Sequence, residues 1–239
     1  MLSRITRISE KPLMNHVVII GYNPTVESVL SELELNMEKN ICIIAKTKPK
    51  INKNIKYIIG DYLKIETLKK ANVNNSKCVI VSTGKDADNI MVILILKRIS
   101  KDIKIVAEAF DSKNSELMKD IGAHVINNSD FGGRLLASLT YEKGITRVFE
   151  ELSTSIRGND ISQITCPKNL IDLNLKDAVA KLKAEKNLLI IAIARDGKIN
   201  FKPQLNYRLS ERDKLIVIGF PTDIKYFRNP EYLSYKPLQ

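Results

Sequence analysis

The sequence predicts an α/β fold with a parallel sheet, two amphipathic helices after the sheet, and a small α+β lobe at the end. Short apolar runs alternate with helical patterns through the first half, which is typical of a parallel sheet covered on both faces. The run 16–20 ends at Gly21 and a helical pattern follows at once, as in the first unit of a Rossmann-like sheet. After about residue 155, short strand patterns surround a single helical one. We therefore expect two lobes joined by a helical crossover.

The strands and helices of the first lobe can be assigned from this alternation. The predicted strands are 16–20, 41–45, 56–59, 77–81, 103–107 and 124–126, and the predicted helices are 25–37, 65–71, 86–99 and 112–121. Thr25 and Asp86 are of the residue types that cap helix N-termini. Gly122 follows a helical pattern directly, where glycine accepts the left-handed backbone that ends many helices.

Two further helical patterns follow the sheet. The polar run 127–130 offers N-caps for the first helix, and Gly144 separates it from the second. Both helices carry apolar side chains at helical spacing, namely Phe131, Leu135, Leu136, Leu139, Val148, Phe149 and Leu152. Since the sheet ahead of them is complete, little surface of the same chain remains for these side chains to cover. The sequence therefore predicts a helix-turn-helix crossover that forms a dimer interface and bends at Gly144.

The last part of the chain predicts a compact α+β lobe. Its strands are expected at 161–166, 188–195, 199–202 and 214–219, with a helix at 175–185. An Asp-Gly pair between the second and third of these strands favours a hairpin. The chain is thus predicted to divide into a leader, 1–14, a Rossmann-like lobe, 15–127, the crossover, 128–154, and the small lobe, 155–239.

A formal net charge of +11 raises nucleic acid or an anionic membrane as partners. The lysines are scattered in short clusters such as 46–50 and 69–70, tryptophan is absent, and no aromatic RNA-binding motif occurs. We therefore expect a solvated basic surface and no nucleic-acid partner. Three cysteines without CxxC spacing predict neither zinc nor disulfides, and so a reducing cytosol. The longest apolar runs, 90–96 and 188–194, are far shorter than the ~20 residues of a membrane helix, and no signal peptide is expected.

The turn after the first strand departs from the glycine pattern of dinucleotide-binding sheets. Gly21, Asn23 and Val26 stand where that pattern has three glycines. Lys46 stands where an acidic residue accepts hydrogen bonds from ribose hydroxyls, and a lysine only donates. NAD, and with it an NAD-dependent dehydrogenase, is therefore not expected. Because no serine–histidine–aspartate arrangement, phosphate-binding lysine loop or zinc spacing occurs, we assign no catalytic residue and no metal site and expect no enzyme.

In open α/β sheets, ligands bind at the carboxyl ends of the strands. The residues expected to line such a cleft are Gly21, Asn23, Lys46, Asp61, Ser82, Thr83 and Glu108. Lys46 either neutralises an anionic ligand or is a solvated surface residue. The hydroxyls of Ser82 and Thr83 either hold an anion or belong to a capped turn. Glu108 either contacts a ligand or its counter-ion, or is a hydrogen-bonded residue of the cleft.

Several short stretches occur along the chain in an order that one known family shares. In the first part they include His-Val-Val-Ile-Ile-Gly at 16–21, Gly-Asp at 60–61, Ile-Val-Ala-Glu-Ala at 105–109, Gly-Ala-His-Val-Ile at 122–126 and Gly-Arg-Leu-Leu at 133–136. In the second part they are 188–192, 195–197 and 213–219. Across nearly its whole length the chain resembles RCK domains, the regulators of K⁺ conductance, which pair a TrkA-N lobe with a TrkA-C lobe. It is most similar to the gating-ring subunits of ligand-gated potassium channels with two membrane helices per subunit.

The resemblance implies a ligand-sensing gating module without catalytic chemistry. Eight such units typically form a ring below a tetrameric pore, so the implied partners are further copies of the chain, as a dimer and an octameric ring, and a potassium-channel pore domain. The implied place is cytoplasmic, at the inner face of the cell membrane when attached to the pore, and the leader 1–14 resembles the end of a pore-to-ring linker. A regulatory subunit of a Trk/Ktr-type potassium transporter uses the same pair of lobes and is the alternative. The missing glycines favour the channel.

The resemblance also bears on calcium. In calcium-gated members, the strand that ends near Glu108 supplies two carboxylates at alternate positions, and the preceding strand supplies another. In this chain those positions hold Glu108, Phe110 and Ser82. Calcium takes six to eight oxygen ligands with carboxylates among them, so we expect weak calcium binding at most. The ligand is left open as a small molecule or an ion, and no cofactor is assigned.

Overall fold

The structure of the protein is a computed structural model, and it describes residues 5–6, 12–35, 38–51, 55–142, 144–153 and 158–228. Most of the predicted leader, residues 154–157 at the predicted lobe boundary and residues after 228 lie outside this described part. The contacts divide the chain into two units, 1–142 and 143–239, so the predicted crossover contributes one helix to each. No helix in the described ranges is long and apolar enough to cross a membrane.

The first unit is a seven-stranded sheet flanked by helices. Its strands are β1 (Ile5–Thr6), β2 (Val17–Ile20), β3 (Ile41–Ala45), β4 (Lys56–Ile59), β5 (Cys78–Val81), β6 (Ile105–Ala109) and β7 (His124–Asn127). Its helices are α1 (Pro24–Leu35), α2 (Ile65–Lys70), α3 (Asp86–Ile99), α4 (Ser112–Asp120) and α5 (Asn128–Leu139). The strand order is β1-β4-β3-β2-β5-β6-β7, with β1 antiparallel to β4 and the other neighbours parallel. The predicted Rossmann-like sheet is confirmed, with one short antiparallel strand added at its edge.

Strand β2 lies in the middle of this sheet, and its four residues are buried. Val18 packs in the same core as Val92 of α3, whereas Ile19 packs in the core that contains Val26 of α1. Successive side chains of a strand point to opposite faces, so a continuous run of branched apolar residues suits a strand that is covered on both sides. The order of the strands reverses between β2 and β5, which is where a sheet of this kind opens its ligand crevice.

Two predicted helix caps are wrong, and one helix end is confirmed. Helix α1 begins at Pro24, so the N-cap is Asn23 rather than Thr25, because proline is favoured at the first helical position. Helix α3 begins at Asp86 itself, and the Asp86 carboxylate instead accepts hydrogen bonds from the backbone N–H groups of Phe110 and Asp111, just before α4. Gly122 follows α4 with a φ of +91°, as predicted.

The second unit is a helix followed by an antiparallel sheet with two helices against it. Its helices are α6 (Ile145–Ser153), α7 (Leu175–Lys186) and α8 (Pro221–Arg228), and its strands are β8 (Asp160–Thr165), β9 (Leu189–Arg195), β10 (Lys198–Asn200) and β11 (Lys214–Gly219). The sheet order is β10-β9-β11-β8. Leu182 of α7, Leu215 of β11 and Ile224 of α8 share one buried core. The predicted small α+β lobe is confirmed, although α8 was not expected.

A buried carboxylate ties the β9–β10 hairpin to the segment before β11. Asp213 is fully buried and accepts hydrogen bonds from Nε and Nη2 of Arg195 at 2.7 and 2.8 Å. It also accepts from the Tyr207 hydroxyl at 2.9 Å and from the Ser210 backbone N–H at 2.8 Å. Burial by itself raises the pKa of the Asp213 carboxyl, but the hydrogen bonds from Arg195, Ser210 and Tyr207 outweigh burial and lower the pKa below its usual value.

Gly144, the residue predicted as a joint, lies just before α6. Its backbone is not in the left-handed region, and an added Cβ meets no atom of the described residues beyond its chain neighbours within 4 Å. A side chain is therefore compatible with this position, and the freedom of glycine is no argument for a hinge there. The preceding residue, Lys143, lies outside the described residues.

Candidate functional site

The carboxyl ends of the parallel strands meet at one edge of the first unit, and the residues predicted to line a cleft follow those ends. They are Gly21 and Asn23 after β2, Lys46 after β3, Asp61 after β4, Ser82 and Thr83 after β5, and Glu108 within β6. The structure divides them into a group around Glu108, a pair of contacts around Lys46, and Asp61 by itself.

The N-terminus of α1 offers little to a phosphate. Its first residue, Pro24, has no N–H. The Val26 N–H donates to Oδ1 of Asn23 at 3.0 Å, and the Glu27 N–H donates to the Asn23 carbonyl at 3.1 Å. In this fully described first turn, only the Thr25 N–H remains for an anion. Because a phosphate site at a helix N-terminus uses several N–H groups together, the local sequence weakens such a site in addition to lacking the glycines.

Gly21 is required by close packing. Its φ is +105°, and a Cβ at this position would overlap the backbone carbonyl of Ser82. The turn after β2 therefore lies directly against the end of β5. Because the two segments lie so close together, Nδ2 of Asn23 donates to the Ser82 carbonyl at 3.0 Å and reaches the Ser82 hydroxyl at 3.2 Å. The side chain of Asn23 thus bridges the two strands at the point where the sheet reverses its order.

Glu108 is buried, with 6% of its surface exposed. Its Oε2 accepts a hydrogen bond from Nδ2 of Asn128 at 3.1 Å, and its Oε1 lies 3.5 Å from Nδ2 of Asn23. Among the described residues, no lysine, arginine or histidine nitrogen lies within 4 Å of this carboxylate. Neutral amides are therefore its hydrogen-bond partners, which agrees with the interpretation of Glu108 as a hydrogen-bonded cleft residue.

The turn after β5 is closed by a side chain of α3. The backbone N–H and the hydroxyl of Thr83 donate to Oδ1 of Asn89 at 2.9 and 2.7 Å. Nδ2 of the same asparagine, which is fully buried, donates to the Glu108 carbonyl at 3.0 Å. This geometry agrees with the capped-turn interpretation of Thr83, because both of its donors are engaged.

Lys46, which follows β3, belongs to a separate cluster with Tyr62 and Asp88. Its Nζ lies 3.3 Å from a carboxylate oxygen of Asp88 on α3 and 4.4 Å from the centre of the Tyr62 ring. The Tyr62 hydroxyl donates to the same Asp88 oxygen at 2.9 Å. The interaction with the Tyr62 hydroxyl is the main cause that raises the pKa of Lys46, and Asp88 adds to it. An anionic ligand at Lys46 has to compete with Asp88.

Asp61 takes part in neither cluster. Its Oδ1 accepts the Leu63 N–H at 3.0 Å, which closes its own turn. Within the described ranges, no three histidine, cysteine, aspartate or glutamate side chains lie close enough together to hold a metal ion.

Comparison with known proteins assigns this sheet to a family. Residues 17–129 match the family model of the TrkA-N domain. They are a TrkA-N domain. The structure of the human SLO3 gating ring superposes with a TM-score of 0.60 at 19% identity, over 89% of this chain and 46% of that chain, and so shares the fold.

Two curated relatives are similar beyond the TrkA-N domain. Probable potassium channel protein 2 of Methanocaldococcus jannaschii is 25% identical over 236 residues, or 92% of this chain and 67% of that protein. Ktr system potassium uptake protein A of Bacillus subtilis is 25% identical over 219 residues, or 88% of this chain and 94% of that protein. The chain spans 20%, 67% and 64% of the length of the first curated relatives that it matches.

The TrkA-N domain ends where α5 begins, and the predicted interface side chains follow on α5 and α6. On α5, Phe131 is 57% exposed and Leu136 is 68% exposed. On α6, Val148 and Phe149 are also exposed. The other predicted members, Leu135, Leu139 and Leu152, are partly buried. Each helix therefore has large apolar side chains that a single copy of the chain leaves accessible.

A second accessible apolar face lies on the TrkA-N domain itself. Met91 and Leu94 of α3 and Leu117 of α4 are each between 45% and 49% exposed. The two helices pack against each other. The sequence did not reveal this face, because 90–96 is apolar throughout and does not show which of its residues point outward.

Four further residues of the TrkA-N domain take part in the cleft and were missed as site residues. The sequence predicts Asn128 only as an N-cap candidate, and nothing in it indicates that Asn128 reaches Glu108. Asn89 does carry a signal, because a polar residue on the buried face of a helix needs a hydrogen-bond partner. Tyr62 and Asp88 lie far apart in the sequence and meet only in the folded sheet.

Proposed function

We propose that this chain is a cytosolic gating-ring subunit that couples the binding of a ligand to the opening of a potassium-channel pore. The observation that carries the proposal is a TrkA-N domain continued by amphipathic helices in a chain that aligns, over 92% of its length, with a potassium channel protein. The shared fold with a gating ring supports it. The function is conformational, and no residue is assigned a catalytic role.

A ring of identical subunits needs more than one kind of contact, because a single two-fold interface closes after two copies. The exposed apolar side chains of α5 and α6 and those of α3 and α4 offer two different contacts. We assign the exposed apolar side chains of α5 and those of α6 to the dimer, and the face of α3 and α4 to the contact between dimers. Large apolar patches that remain exposed on a single copy mark such interaction sites. The expected assembly is an octameric ring below a tetrameric pore, at the inner face of the cell membrane.

We assign the ligand site to the strand ends, with Gly21, Asn23, Lys46, Asp61, Ser82, Thr83 and Glu108 as its candidate residues. Its buried carboxylate has only amide partners among the described residues, and so it suits a ligand that brings a positive charge or hydrogen-bond donors. The weak anion site at α1 does not suit a dinucleotide, and Ser82 and Phe110 do not supply the carboxylates that calcium prefers. A small organic molecule or another ion is therefore the proposed class of ligand.

The alternative function is that of a regulatory subunit of a Trk/Ktr-type potassium transporter. The similarity to Ktr protein A covers 94% of that protein, and the two relatives are equally identical to this chain. The geometry of the cleft favours the channel, because Asn23 and Pro24 remove the features that a nucleotide-binding regulator uses at this helix.

The proposal is tested by joining the chain to a two-helix potassium-channel pore and recording single channels in planar bilayers. An open probability that depends on the chain, and that loses this dependence in Leu136→Asp with Phe149→Asp, supports the proposal. The same open probability with and without the chain contradicts it. Potassium uptake that is restored only when the chain is paired with a Ktr-type membrane subunit supports the alternative.

A further inference from the structure

Glu108 connects two elements that are far apart in sequence. Through Oε1 it faces the amide of Asn23, the N-cap of α1, at 3.5 Å. Through Oε2 it accepts a hydrogen bond from the amide of Asn128, the first residue of α5, at 3.1 Å. One buried carboxylate of the cleft therefore contacts the helix that carries the dimer face.

The two amides matter to Glu108 because its charge has little else to stabilise it. Burial of a carboxylate is costly unless hydrogen bonds replace its water, and bonds to a charged acceptor are stronger than neutral ones. In the described part of the chain no basic nitrogen is within 4 Å. A ligand that binds this carboxylate more strongly than an amide does will therefore also weaken its contacts with the amides of Asn23 and Asn128.

The start of α5 is held from two sides. On one side, Oδ2 of Asp130 accepts a hydrogen bond from the Ser112 hydroxyl of α4 at 3.0 Å, and Oδ1 of Asn127 accepts the Asp130 N–H at 3.0 Å. On the other side, Asn128 donates to Glu108. The first contact does not involve the cleft, whereas the second ends in it. The second contact therefore links the first turn of α5 to the cleft.

We propose that Glu108 is the coupling residue between the cleft and the dimer helix, with Asn128 as the positioning residue through which it acts on α5. A cationic or donor-rich ligand at Glu108 withdraws the carboxylate from Asn128 and releases the first turn of α5. This rests on the proposed function, since it supplies the step between ligand binding and the dimer face. It also explains why a ligand has unequal affinity for two arrangements of the ring, which gating requires.

Asn128→Asp distinguishes this coupling from a local role of Asn128 in its helix. An acidic residue in the first turn stabilises a helix through the helix dipole, so a purely local role predicts slower amide hydrogen exchange in α5. The proposal predicts the opposite sign, because two carboxylates then face each other. We expect roughly tenfold faster exchange at residues 132–139. Slower or unchanged exchange in Asn128→Asp overturns the proposal.

Ser129→Asp is the matched control. It adds the same charge to the same turn at an exposed position, so exchange in α5 is expected to stay the same or to slow by up to about fivefold. Glu108→Gln combined with Asn128→Asp reverses donor and acceptor across the pair. This double variant is expected to return exchange close to the rate in the unchanged protein. A double variant no slower than Asn128→Asp alone overturns the proposal.

Asn23→Ser tests whether a change at Asn23, on the cleft side of Glu108, is transmitted through Glu108 and Asn128 to α5. Serine keeps an N-cap oxygen for α1 but is too short to reach Glu108, so exchange in α5 should change. In the Asn128→Ala background the same substitution should have no further effect on α5, because the connection is already cut. Equal effects of Asn23→Ser in both backgrounds overturn the proposal. Failure of the ring to assemble, by contrast, bears on the proposed function and is measured separately by light scattering.

Discussion

The side-chain oxygen of Asn23 accepts a hydrogen bond from the Val26 N–H at 3.0 Å, so Asn23 caps helix α1. Asn23 stands where the dinucleotide-binding pattern has its second glycine, and a bound dinucleotide needs the N–H groups of this helix to be free. With Pro24 lacking an N–H, this contact leaves one free donor in the first turn. NAD⁺ is therefore expected to bind more weakly than micromolar, and calorimetry measures it. Calcium is expected to bind just as weakly in the same assay. If NAD⁺ or calcium binds with micromolar affinity, and if Glu108→Ala abolishes that binding, the expectation is wrong.

The same contact predicts how the cleft can be changed. Asn23→Gly with Pro24→Ala returns two N–H groups to the start of α1, and it is expected to raise the affinity for a nucleotide phosphate such as AMP. Thr25→Ala is the control, because it changes the same turn without changing the number of N–H groups. If the double variant and Thr25→Ala bind AMP with equal affinity, the number of free N–H groups at the start of α1 does not limit phosphate binding.

The proposed dimer contact uses apolar side chains of α5 and of α6. Leu136→Asp with Phe149→Asp places one charge on each of these helices and is expected to give monomers by light scattering, because desolvating an unpaired charge in an interface is costly. Phe201→Asp is the control, since Phe201 is also 68% exposed but lies on neither helix. It should leave the assembly intact. A monomeric unchanged protein at micromolar concentration contradicts the assignment.

The sheet was predictable because its strands are short, apolar and regularly spaced, whereas β1 has only two residues and shows no period. The helical pattern starts at Thr25, but the helix includes Pro24, so its cap is Asn23 and not the predicted Thr25. The strand ends at which the candidate site residues lie were largely predictable from the apolar runs. The contact of Asn128 with Glu108 was not, since it joins residues 20 positions apart through the pairing of β6 with β7.

Gly21 and Gly132 are two glycines with opposite expected responses to alanine. A Cβ at Gly21 meets the Ser82 carbonyl at a φ of +105°, so Gly21→Ala should cost about 3 kcal/mol or more in the free energy of unfolding. A Cβ at Gly132, inside α5, meets no atom of the described residues within 4 Å apart from its own helix backbone. Gly132→Ala should therefore stabilise the protein by about 0.5–1 kcal/mol. Urea denaturation measures both, and a tolerated Gly21→Ala refutes the close packing of the two turns.

The final prediction concerns Asp213, whose buried carboxylate accepts hydrogen bonds from Arg195, Tyr207 and Ser210. Asp213→Asn leaves these donors without their charged acceptor, and at pH 7 it should cost about 3 kcal/mol in the free energy of unfolding. Arg195→Lys keeps the charge but loses the two-pronged geometry, so a smaller loss is expected.

The pH dependence of this loss follows from the lowered pKa of Asp213. A carboxyl with a lower pKa in the folded than in the unfolded state stabilises the fold fully above the unfolded value of about 3.9. That contribution is lost as the pH falls through the folded value. The difference between the unchanged protein and Asp213→Asn should therefore be constant from pH 7 to about pH 5 and shrink below pH 4. Urea denaturation across this range measures it, and a difference that grows as the pH falls refutes the role of the ionised Asp213.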